Sequence, residues 1–219
     1  MSAALLGFDR ALELWGPRDS SQGVFAQVMA FCYAPLFGAG ATAVMLMVWR
    51  RLQGGPNFPS QPGHWLLIVS GLSSITSLCL RALLAAITTE RWPPFDFLLI
   101  RVSAVLVGTV VLVVATVKLS GYWRITFVIG VGIAAISLLS TFCYLFDGFW
   151  FEVFWLVRNL DACTYTLLTI CVLICAATDM ARRMPRDYLH WTGIGVRVIY
   201  TILTIATPFL VQRLRTASE

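Results

Sequence analysis

Arg158, Asn159 and Asp161 stand inside an otherwise apolar run that extends over 149–179. An arginine and an aspartate three residues apart fall on one face of a helix, so they can pair with each other or receive a charged group together. A run this long and this apolar exceeds a soluble surface helix and suits a membrane span, where ionised side chains turn toward a bundle interior or a water-filled cavity. Arg81 and Arg101 occupy comparable positions in two other apolar stretches.

Depth links these four residues. Arg81 lies about seven residues before the end of its stretch, Arg101 about seven after the start of the next, and Arg158 and Asp161 about ten into theirs. At about 1.5 Å per helical residue, all four fall in the same half of a bilayer. Asp96, Asp147 and Glu152 lie above them, toward the interface. The chemistry this predicts is an electropositive vestibule in which Arg81, Arg101 and Arg158 take up a small anionic group while Asp161 orients Arg158. The same residues have a structural reading, since long arginine side chains snorkel to the surface and acidic neighbours neutralise them as interhelical pairs.

Composition sets the frame for these residues. Hydrophobic residues make up 58% and charged residues 12% of the 219, and the mean hydropathy is +0.80. Soluble proteins carry roughly a quarter charged residues, so this balance calls for a bilayer as solvent. The formal charge of +5 does not imply nucleic acid, because the basic residues sit at the ends of apolar runs and form no stripe.

The chain divides into an amphipathic segment over 1–23, a transmembrane domain over 24–211 and a short basic tail over 212–219. In the first, Ala4, Leu5, Phe8, Ala11, Leu12 and Trp15 recur at helical spacing opposite Asp9, Arg10 and Glu13. That pattern predicts an interfacial helix, and without a basic start and long apolar middle it is expected to be retained. Six spans are predicted at 24–49, 64–88, 94–118, 122–146, 149–179 and 189–211, each near the roughly 20 residues a bilayer requires or longer. The expected fold is therefore an all-α, six-span membrane bundle. Turn residues separate the spans: Gly54, Gly55, Pro56, Pro59 and Pro62 in one connection, Pro93 and Pro94 in another, and single glycines at 121 and 148 in the two tightest.

Orientation follows from the cations. The first, third and fifth loops hold seven Lys and Arg, namely Arg50, Arg51, Lys118, Arg124, Arg182, Arg183 and Arg186, whereas the second and fourth hold only Arg91. Positive residues favour the cytoplasm, which predicts the odd loops there and both termini on the opposite side. Arg10, Arg18, Arg213 and Arg215 run against this assignment. Trp49, Trp65, Trp92, Trp123, Trp150 and Trp191 all fall at predicted span ends, where an aromatic belt is expected.

Polar stripes suggest which faces turn inward. Ser70, Ser74, Ser77 and Arg81 share one face of the second span, Thr126, Gly130, Ser137, Thr141 and Tyr144 one face of the fourth, and Gly193, Arg197, Tyr200, Thr204 and Thr207 one face of the sixth. Such faces line a cavity or form close-packed, hydrogen-bonded seams. Ala34, Gly38 and Ala41 on the first span read as packing alone. His64 and His190 are the two candidates for a metal or a haem, but each precedes a tryptophan at a span start, and an interfacial anchor is their expected role. The strings around them repeat loosely, Arg50-Arg51 before His64-Trp65 and Arg182-Arg183 before His190-Trp191, as a duplicated helix pair would leave them. The six cysteines lie in apolar segments without redox or zinc spacing and are expected to pack as small hydrophobes.

The chain carries no phosphate-binding glycine loop, no His-Glu-x-x-His and no Gly-x-Ser-x-Gly, so the expectation leans away from an enzyme, and the cofactor is unknown, since a noncovalent pigment or lipid needs no motif. The leading expectation is a membrane protein that binds or passes a small anionic solute, with Arg158, Asp161, Arg101 and Arg81 as ligand-binding residues. The rival is an accessory subunit of a membrane complex, or a homo-oligomer, whose charges are interhelical pairs. A membrane sensor is the third reading.

Overall fold

The structure is a computed structural model and describes residue 38 and residues 40–42, 44–53, 59–87, 94–146 and 150–216. The amphipathic segment over 1–23 lies outside the described residues. Every regular element among those described is helical: α1, continuous over residues 44–52, then α2 (Pro62–Ile87), α3 (Pro94–Lys118), α4 (Gly121–Phe146), α5 (Trp150–Ala181) and α6 (Tyr188–Thr216). Helices α2 to α5 begin and end within two residues of the bounds expected from hydropathy, and α6 continues past its expected end to Thr216.

Local chemistry explains those bounds. Pro62 and Pro94 open α2 and α3 at the first helical position, where the missing N–H has no helical partner to lose. Lys118 closes α3 over the negative end of its macrodipole. Gly121 then turns the chain with φ of 66° and starts α4, so α3 and α4 run antiparallel. At the end of α5 the N–H of Met184 bonds the carbonyl of Asp179 (3.0 Å), and that of Arg183 bonds Met180 (3.0 Å). This double closure needs a left-handed residue, which Arg183 supplies at φ of 51°.

Helices α2 to α6 form a closed ring: each packs on the next in chain order, and α6 returns to α2. The ring's core is filled near one end by Trp65 and Leu66 of α2, Leu112 and Ala115 of α3, Trp123 and Phe127 of α4, Val172 and Ala176 of α5 and Ile194 of α6. Helix α1 lies against α2 and α6, with Met47 packed among Leu67, Leu189 and Val196. Its closest approach runs through Gly40 rather than the expected Gly38, which has open space around it. A Cβ on Gly40 would stand 2.9 Å from the Cα of Gly71. A second glycine seam joins α2 to α6, where a Cβ on Gly63 would overlap the carbonyl oxygen of His190 and one on Gly193 that of Gly63. Small residues let helix backbones approach this closely.

The outer surface is apolar. Val117 (74% exposed), Leu139 (65%) and Ile174 (61%) face outward from α3, α4 and α5. Two segments, Gly121–Leu139 and Cys163–Ala181, are long and apolar enough to cross a membrane, and Val102–Lys118 is a shorter apolar helix.

Candidate functional site

The end of the ring where α2, α4 and α6 begin and α3 and α5 finish carries a buried polar cluster. It is built from helix caps. Asp187 is the N-cap of α6: its Oδ1 accepts the backbone N–H of His190 at 2.8 Å, taking up one of the first-turn donors that no helical carbonyl reaches. The same carboxylate receives Nε2 of His64, at 2.8 and 2.9 Å to its two oxygens. His64 occupies the third position of α2, and its Nδ1 accepts the N–H of Gln61 at 3.4 Å, the half of a capping box that a glutamate usually supplies. Gln61 Oε1 in turn accepts the N–H of Asp187 at 3.1 Å.

His190 completes the exchange. It occupies the third position of α6, and its Nδ1 accepts the N–H of Gly63 in the first turn of α2, at 3.0 Å. Each helix start thus caps the other across the Gly63–Gly193 seam. Because Nδ1 accepts, the proton of neutral His190 is on Nε2, which stands 3.6 Å from Asp179 Oδ2 and has no hydrogen-bond partner among the described residues. Trp123 and Trp191 flank the ring edge-on, with centroids 5.6 and 5.1 Å away.

Asp179 is fully buried. The Schellman turn fixes its backbone, and its carboxylate accepts the Tyr122 hydroxyl, Trp123 Nε1 at 3.1 Å and Arg186 Nε at 2.8 Å. Asp187 lies outside the helices, where burial alone would raise its pKa. The hydrogen bonds from His64 and from the His190 N–H outweigh burial and hold the carboxyl below its usual range.

These positions correct two expectations. His64 and His190 are buried, at 1% and 0% exposure, and act as interhelical caps rather than interfacial anchors. The physical reason is that an imidazole can serve an uncapped N–H and a carboxylate at once, which a lipid-facing position would not require. Trp65 and Trp123 also leave the expected belt for the core, whereas Trp49 remains 61% exposed. As metal ligands the histidines are poorly disposed, because Nδ1 of His190 is occupied and the two Nε2 atoms face different carboxylates. No group of three or more His, Cys, Asp or Glu side chains that could hold a metal occurs among the described residues.

Arg81, Arg101, Arg158 and Asp161 fall in α2, α3 and α5, with side chains outside the described residues. The polar stripes are described in part, and several of their hydroxyls are bonded within or between helices. Ser74 donates to the carbonyl of Ser70 at 2.6 Å, and Thr126 lies 3.1 Å from Cys175 Sγ; outside the stripes, Thr169 meets Thr201 across α5 and α6 at 2.7 Å.

One stripe residue differs. Arg197 of α6 is half-buried, and its Nε and Nη2 have no hydrogen-bond partner among the described residues. Its guanidinium carbon rests over the Tyr165 ring of α5 at 4.9 Å, and Tyr165 meets Tyr200 edge-on with centroids 5.8 Å apart. A cation nine residues inside a helix is the same signal that singles out Arg158, and it marks Arg197 equally. Comparison with protein-family models, with curated proteins and with solved structures finds no match for the chain.

Proposed function

We propose that this chain is a six-span integral membrane protein that binds a small anionic solute within its helical ring, and that Arg197 forms the floor of the binding region. In this reading Arg158, Arg101 and Arg81 are further ligand-binding residues, with Asp161 as the partner of Arg158 three residues away on the same helix. The observation that carries the reading is the state of Arg197. It stands nine residues into α6, about 14 Å along the helix from its start. Among the described residues its guanidinium meets tyrosine, resting over the Tyr165 ring, and no carboxylate. Withdrawing a guanidinium from water costs several kcal/mol unless an opposite charge or a set of acceptors replaces the solvent. A small anion supplies both.

The reading is tested by thermal unfolding of the purified protein with chloride, acetate, phosphate or citrate added in turn. At least one anion is expected to raise the Tm of the parent protein and to lose that effect in both Arg197→Gln and Arg158→Gln. An absence of stabilisation by every anion, or equal stabilisation of parent and variants, would refute it. The accessory-subunit reading, in which the charges are interhelical pairs, predicts that second pattern.

A further inference from the structure

The end of the ring that holds the polar cluster also carries an unbalanced charge. Its two described carboxylates are committed, Asp179 to Tyr122, Trp123 and Arg186, and Asp187 to His64 and the His190 N–H. Six further cations at this end, Arg50, Arg51, Lys118, Arg124, Arg182 and Arg183, are exposed and have no carboxylate partner among the described residues. They come from the last turn of α1, the last residue of α3, the first turn of α4 and the α5–α6 connection, so they surround this end of the bundle. Aromatic rings lie at the same level: Arg50 donates to the Tyr188 hydroxyl at 2.9 Å, and Arg182 sits over the Tyr122 ring at 5.5 Å. Trp49 and Tyr188, each 61% exposed, stand beside them.

We infer that this rim binds the headgroups of anionic phospholipids in the adjoining leaflet. The inference rests on the membrane reading above but not on the anion within the ring. Each element of the rim suits a lipid interface. Exposed aromatic rings settle at headgroup level, apolar helix faces meet the acyl chains, and clustered Lys and Arg attract lipid phosphates. The charge complement is one-sided, because both described acidic groups at this end are engaged in the cluster, Asp179 fully buried and Asp187 tied to His64 and the His190 N–H. Four of the cations, Arg51, Lys118, Arg124 and Arg183, are exposed and make no side-chain hydrogen bond or ion pair among the described residues, which leaves their donors to the headgroups.

The test reconstitutes the full chain into nanodiscs of mixed phosphatidylcholine and phosphatidylglycerol and records the lipids it retains by native mass spectrometry. The parent protein is expected to retain phosphatidylglycerol preferentially. Each of Arg51→Gln, Lys118→Gln and Arg124→Gln should reduce that preference about fivefold, equivalent to about 1 kcal/mol per surface cation. Arg50 and Arg182 are left intact because they brace Tyr188 and Tyr122. A parent protein that enters the discs without preferring the anionic lipid would overturn the inference and leave the rim to an acidic protein partner, and so would variants that keep the parent's preference. A chain that enters neither discs nor vesicles would instead refute the membrane reading.

Discussion

Replacing Asp179 tests the polar cluster most directly. Its carboxylate accepts three side-chain donors on two other segments, α4 and the loop before α6, and is fully buried. Hydrogen bonds to a charged acceptor contribute about 1.5–3 kcal/mol each and those to a neutral one about 0.5–1.5. Asp179→Asn keeps the shape and removes the charge, so with about 1 kcal/mol lost per donor the expected destabilisation is about 3 kcal/mol. Asp179→Ala leaves the Tyr122 hydroxyl, the Trp123 N–H and a largely buried Arg186 without their acceptor, and should cost about 3–5 kcal/mol. Combining it with Arg186→Ala should recover part of that loss, because the stranded cation is then gone. Unfolding can be followed in detergent by labelling Cys175, which is buried one turn from Asp179, in a variant retaining only that thiol. A loss below about 1 kcal/mol for Asp179→Ala, or strict additivity with Arg186→Ala, would refute the assignment of this cluster as the clamp between α4, α5 and α6.

Two further perturbations address the helix starts. Gly63→Ala places a methyl group against the backbone of His190, which cannot move aside as a side-chain tip would, and should destabilise by about 1–3 kcal/mol, whereas Gly132→Ala, with open space around it, should not destabilise measurably in the same unfolding assay. The depressed pKa of Asp187 gives its stabilisation a pH sign. Its contribution is whole above the ordinary aspartate value of 3.8 and is lost as pH falls below that toward the lower folded value, so the stability gap between the parent protein and Asp187→Asn should narrow on acidification through that window.

The helices were legible in the sequence because their signals are local. Proline at 62 and 94, glycine at 121 and an apolar run between successive turns are read within a few residues of the boundary they create. The cluster was not, because its contacts join residues far apart in the chain. His64 and Asp187 meet only once α2 and α6 are known to be neighbours, and no periodicity reports that. Two local signals were present nonetheless. Asp187 stands three residues before His190, as an N-cap does. Asp179 is a carboxylate in the last turn of a helix, where the macrodipole opposes it, and such a residue implies donors nearby. Arg197 was visible as a stripe residue, yet only its missing acceptors separate it from the hydroxyls that share its face.

The loosely repeated strings that precede His64 and His190 acquire a physical meaning in the folded ring. Each histidine occupies the third position of its helix, each presents Nδ1 as an acceptor to a backbone N–H of a helix start, and each turns Nε2 toward an aspartate. The two helices start side by side, and neither first turn is fully capped without the other. A solute approaching Arg197 from this end would have to part the Gly63–Gly193 seam and strip donors from Asp179, whose acceptors would then be buried unmatched. In the proposed reading, the cluster therefore serves as a closed base. It also fixes Tyr122, Arg186 and both histidines inward, which leaves the unpaired cations on the rim. One set of interactions thus closes the interior on this side and exposes an excess of positive charge to whatever adjoins it.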